Sequence, residues 1–149
     1  MNKNIIFKRR PVSLSIDYRP VWKLTQLLLV ISEGSNKYGC SLLKLHLFSW
    51  IFQDRKRKMK VKEWINNDFD VSLSIWTLSP HVNRAVAFGI GEELIIEEKG
   101  KYLITKKGAQ LVHKILEEDD LFGDEKKILE EFGKVITESR IDELSKNWK

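Results

Sequence analysis

Cysteine, histidine and long apolar runs are all scarce in these 149 residues, and each scarcity removes a class of function. A single cysteine, Cys40, excludes a disulfide framework and any cysteine-based metal cluster. The three histidines, His46, His81 and His113, stand more than thirty residues apart. Only His113 has a ligand-type neighbour one turn away, Glu117, and one pair is not a metal site. Each histidine is therefore read as a packed or a surface residue. The longest apolar stretch, residues 27–31, is too short to span a bilayer, so no membrane contact is expected. At the start, Lys8-Arg9-Arg10 follows an apolar run of only three residues, which is not the pattern of a secretory signal. With a lone cysteine, that pattern leads us to expect a cytoplasmic location.

Catalytic motifs are missing as well. There is no phosphate loop, no G-x-G-x-x-G and no G-x-S-x-G elbow. Gly89-Ile90-Gly91 precedes Glu92-Glu93, whose carboxylates repel phosphate, so it is read as a helix end. The expectation is a non-enzyme, with no catalytic residue, cofactor or metal.

What the chain does have is charge that changes sign along its length. Residues 1–62 carry 14 Lys+Arg against 3 Asp+Glu; residues 117–149 carry 6 against 11. The modest net charge of +5 hides a basic front and an acidic tail, a polarity that suggests two different partners.

Apolar periodicity and turn residues set the expected elements. Residues 12–16 alternate apolar and polar and predict a strand within an N-terminal arm, 1–19. Pro20 opens a helix over 20–33, closed by Gly34-Ser35-Asn36, and Ser41 caps a second over about 42–53. Cys40 is read as a small helix-entry residue. Both helices are apolar around nearly their whole circumference, which demands burial on all sides. A chain this short has difficulty enclosing two such helices, so part of this surface is expected to bury on another chain. Trp22, Trp50, Phe52 and Phe88 are the candidate anchors. A short helix over 61–67 and a second alternating strand over 71–75 come next. Ser79-Pro80 then opens a helix over 80–90. Two apolar runs, 94–98 and 101–104, flank Lys99-Gly100 as a hairpin. Thr105 caps a helix over 106–118, and two more helices lie beyond Gly123.

The fold class expected is mainly α with a small β-hairpin, in a winged-helix (winged helix-turn-helix) arrangement. The winged-helix domain spans 20–119, between the N-terminal strand and an acidic helical extension at 120–149. The hairpin is the wing, and helix 80–90 stands in the recognition position.

A winged helix makes double-stranded DNA an obvious partner, yet the recognition helix offers only His81, Asn83 and Arg84, all in its first turn. That is poor equipment for reading sequence. Lys99 and Lys101 on the wing are candidate phosphate contacts. The strongest electrostatic feature is Arg55, Lys56, Arg57, Lys58, Lys60 and Lys62. It suits a sequence-blind phosphate contact, a contact to an acidic protein patch, or a solvated loop.

Several motifs together resemble a known family. They are Arg19-Pro20, Gln26-Leu27-Leu28-Leu29, Leu45-His46-Leu47-Phe48-Ser49-Trp50, Asn83-Arg84-Ala85-Val86-Ala87-Phe88, Leu103-Ile104-Thr105-Lys106-Lys107-Gly108 and Leu121-Phe122-Gly123-Asp124-Glu125-Lys126. Over about residues 12–145 the chain resembles the small middle component of bacterial ABC three-component defence systems, which overlap the Lamassu anti-phage systems. The resemblance implies a non-enzymatic accessory subunit that binds an ATPase like those of structural maintenance of chromosomes (SMC) and bridges it to an effector, often a nuclease. DNA contact would be through the backbone. It carries over no catalytic residue. The alternative is a stand-alone winged-helix transcription regulator.

Overall fold

The computed structural model describes residues 19–69 and 78–146; the strands expected at 12–16 and 71–75 lie outside these residues. What is described is mainly helical with one small antiparallel hairpin, a layout compatible with a winged helix. No helix among the described residues is long and apolar enough to cross a membrane.

α1 (Pro20–Glu33) is the central pillar. Pro20 sits in its first turn, where a missing N–H costs nothing, and the chain turns away at Gly34. Every residue from 23 to 31 is buried, and Leu27, Leu28 and Leu29 are fully so. Each such leucine contributes about 1.5–3 kcal/mol of transfer free energy. α2 (Leu42–Phe52) starts at Ser41, whose hydroxyl accepts from the Lys44 N–H. Its residues 44–51 are likewise buried.

The chain encloses these two helices itself, so their all-round burial does not require another subunit. α4 (Pro80–Gly91) lies along α1, and α2, α5 (Lys106–Glu117), α6 (Gly123–Phe132) and the hairpin cover the rest. α7 (Glu138–Lys146) returns to α2, where Glu138 accepts from the Ser41 N–H at 3.1 Å. Ile128, Leu129, Phe132 and Ile141 of the acidic tail belong to the same core as Leu27 and Phe48.

Two buried lysines inside this core are paired. Lys23, 1% exposed, donates to Gln26 Oε1 and Ser49 Oγ, both at 2.9 Å, and Gln26 donates to Glu125 at 2.7 Å. Lys44 donates to the carbonyls of Gly34 and Gly133. α1, α2 and α6 are thereby joined by hydrogen bonds as well as by apolar contact.

β1 (Ile95–Glu98) pairs with β2 (Lys101–Ile104) in the register Ile95↔Ile104 to Glu98↔Lys101. Lys99 and Gly100 both have positive φ, 54° and 79°, as a two-residue hairpin turn requires. Cys40 completes the sheet from the other side of β2. It exchanges backbone hydrogen bonds with Tyr102 at 2.9 and 2.8 Å. Cys40 is thus a one-residue strand between α1 and α2, more than the helix-entry residue expected from sequence.

The largest departure from expectation is α3 (Arg55–Asn66). The sequence suggested a helix only from residue 61. Instead Asp54 caps it, accepting from the Lys56 N–H, and the whole basic run is helical. Lys and Arg are good helix formers, and Val61 and Trp64 supply the buried stripe.

Candidate functional site

Helical periodicity divides the basic run into three faces. Arg55, Lys58 and Lys62 point towards α6. Lys58 and Lys62 both reach Glu131 at 3.4 Å, and Arg55 reaches Asp124 at 3.7 Å. Slight burial pushes Glu131 up, but the hydrogen bonds and charges of Lys58 and Lys62 outweigh it and hold the carboxyl below its ordinary range. Arg57 turns inward, donating to the Trp50 carbonyl at 2.8 Å with its guanidinium 4.7 Å from the Trp50 ring centre. Lys56 and Lys60, one turn apart on the outer face, have no acidic partner among the described residues. The acidic tail therefore folds back on the basic front. Part of the charge polarity seen along the chain is met internally, through Asp124 and Glu131, and the six cations do not form one patch.

The wing carries acidic residues beside its lysines. Glu98 stands directly across from Lys101 and Glu97 across from Tyr102, so Lys99 and Lys101 share the hairpin with two carboxylates. Burial and Glu97 both push the Tyr102 phenol up.

α4 begins at Ser79, whose hydroxyl accepts from the His81 N–H. Its inner face is Val82, Ala85, Val86 and Gly89. The outer face begins with polar residues that are already engaged. Asn83 Oδ1 lies 3.3 Å from His46 Nε2, and Arg84 Nη1 lies 3.3 Å from His81 Nδ1. Asn reads adenine with both amide atoms at once, and here the oxygen is taken. Further along, Phe88 and Ile90 are 42% and 40% exposed.

The other candidate anchors are mostly covered by this chain. Trp22 is half-buried and packs on Phe122, ring centres 4.1 Å apart, with its indole N–H buried and lacking a hydrogen-bond partner among the described residues. Trp50 is buried beneath Arg57, and Phe52 is half-buried against Phe48. Phe88 alone of the four presents its ring to the surface.

Among the titratable groups, burial pushes the Cys40 thiol up to about 12, which leaves it a packed and unreactive residue. Burial lowers Lys44 and His46 from their ordinary values. His113 forms an exposed pair with Glu117 at 3.3 Å, and no cluster among the described residues could hold a metal ion.

Two features of this surface were not legible in the sequence. The Cys40–Tyr102 pairing joins residues far apart in the chain, and so does the Lys58–Glu131 contact; no local pattern marks either. Compared with protein-family models, curated proteins and solved structures, the chain matches none.

Proposed function

We propose that this chain is a non-enzymatic winged-helix accessory subunit that works by docking proteins rather than by reading DNA sequence. The motif resemblance supplies the partners: an SMC-like ATPase and the effector, often a nuclease, of a bacterial anti-phage defence complex. The observation that carries the docking role is the outer face of α4. Its polar first turn is engaged within the chain, and its second half exposes Phe88 and Ile90. Exposed aromatic residues on an otherwise ordered helix are typical anchors of protein interfaces.

Three observations support the winged-helix assignment. Cys40 takes the place of the short first strand, on the outer edge of β2. β1 and β2 form the wing. α1, α2 and α4 take the places of the three helices, with α3 and the residues after it inserted between the second and third. Carboxylates beside the wing lysines and a divided α3 leave DNA a secondary role, as a backbone contact through Lys56 and Lys60.

Co-expression tests this. Tagged chain is expected to retain the SMC-like ATPase encoded beside it through purification. A chain that leaves the ATPase behind and instead binds one duplex sequence, with Arg84→Ala relaxing that specificity, would establish the transcription-regulator alternative.

A further inference from the structure

An open groove of about 300 Å³ lies where the end of α2 meets the first turns of α3 and α6. Ile51, Phe52 and Ile128 form its floor; Arg55 and Lys58 line one wall, Asp124 and Lys127 the other. Lys58 is paired with Glu131. Arg55 is only loosely held: its side chain is 93% exposed, and its ion pair with the exposed Asp124 spans 3.7 Å. Lys127 has no acidic partner among the described residues. Two available cations over an apolar floor form a seat for an acidic segment that also brings an apolar side chain. A nucleic-acid backbone would satisfy the cations and leave the floor uncovered.

The chain carries such a segment. Leu116-Glu117-Glu118-Asp119-Asp120-Leu121 runs from the last turn of α5 into the link to α6, and all six residues are exposed. Asp119 and Asp120 have no cationic partner among the described residues. The segment lies outside the groove of its own molecule. Lys126 holds the carbonyls of Ile115 and Glu118 at 2.8 and 2.7 Å. At about 100° per residue, Lys126 lies roughly opposite Asp124, Ile128 and Glu131 on α6. The segment is thus tethered to the side of α6 that faces away from the groove.

We propose that the groove receives the 116–121 segment of a second copy of this chain. Asp119 and Asp120 meet Arg55 and Lys127, and Leu121 covers Phe52 and Ile128. Because segment and groove face opposite sides of α6, the contact is head-to-tail, and a pair leaves one free groove and one free segment, on different copies. This inference does not depend on what α4 docks.

Sedimentation velocity of the full chain over a range of concentration and salt tests it. The wild type is expected to self-associate with rising concentration at low salt and to dissociate as salt screens the exposed charges. Arg55→Glu with Lys127→Glu, and separately Asp119→Lys with Asp120→Lys, should each be monomeric. An equimolar mixture of the two should associate again, since each reversed surface then meets its complement; that recovery also shows that both variants are folded. The milder Asp119→Asn with Asp120→Asn should weaken association about tenfold. A wild type that stays monomeric at low salt, an association that ignores both charge reversals, or a mixture that remains monomeric would overturn the proposal.

Discussion

His46 accepts the backbone N–H of Ser79 on its Nδ1, 3.1 Å away. The bond fixes the start of α4 to the middle of α2 and settles the tautomer: the proton is on Nε2, directed at Asn83 Oδ1. A second proton on Nδ1 would point at the Ser79 N–H. Burial accordingly lowers the His46 pKa from its ordinary 6.5, while the bond to Asn83 acts in the opposite sense.

A pH dependence of stability follows. The folded-state pKa lies below the unfolded value, so the unfolded chain takes up the proton first as pH falls through 6.5. Stability should be level in this respect above that pH and fall below it, until the folded-state pKa is reached. Thermal melts between neutral and mildly acidic pH measure the slope. His46→Leu should remove that part of the slope and cost about 1–3 kcal/mol, because the Ser79 N–H loses its acceptor.

Lys44 closes two helices at once. Its ammonium donates to the Gly34 carbonyl at 2.6 Å and the Gly133 carbonyl at 2.9 Å, at the C-terminal ends of α1 and α6, where helix dipoles favour a cation. Lys44→Met keeps most of the volume and removes the charge. Urea unfolding should show a loss of about 1.5–3 kcal/mol for each carbonyl left without its charged donor.

The same helix ends meet through glycine. A Cβ on Gly133 would stand 2.9 Å from the Gly34 Cα and 2.5 Å from the Leu129 carbonyl oxygen, and neither can swing away as a side chain would. Gly133→Ala should cost about 1–3 kcal/mol by forcing α6 off α1. Chemical denaturation of the single variant checks this, with the half-buried Gly123→Ala as a control; nothing lies within 4 Å of a Cβ there.

The divided α3 face limits how the chain meets DNA. Six cations in one loop would have released several counterions on binding. Of the six, Lys56 and Lys60 are the two with no partner on another element among the described residues, so the contribution of α3 to the slope of log K against log salt on random duplex should be near −2, from about 0.9 per phosphate neutralised. Lys56→Ala with Lys60→Ala should flatten it, whereas Glu131→Gln should steepen it by releasing Lys58 and Lys62.

Local signals in the sequence were largely realised. The N-caps Ser41, Ser79 and Thr105, the Pro20 start and the Lys99-Gly100 turn all stand where propensity and hydrogen-bonding chemistry place them. The basic run was legible as charge but not as helix, because its apolar contacts come only at Val61 and Trp64. The Asp54 cap was the available signal. What local pattern could not reveal was contact between distant segments. Glu131 lies on Lys58, and the tail helices cover α1 and α2, so the apparent need for a partner to finish the core came from residues later in the same chain.

The exposed half of α4 is proposed to dock a protein. The affinity of the chain for the proposed SMC-like ATPase partner, measured by calorimetry for the wild type, Phe88→Asp and Arg84→Ala, tests this. Loss of a buried aromatic anchor costs about 2 kcal/mol or more, so Phe88→Asp should weaken binding at least about thirtyfold while Arg84→Ala stays close to wild type. A Phe88→Asp chain that binds the ATPase as tightly as the wild type would contradict docking through α4.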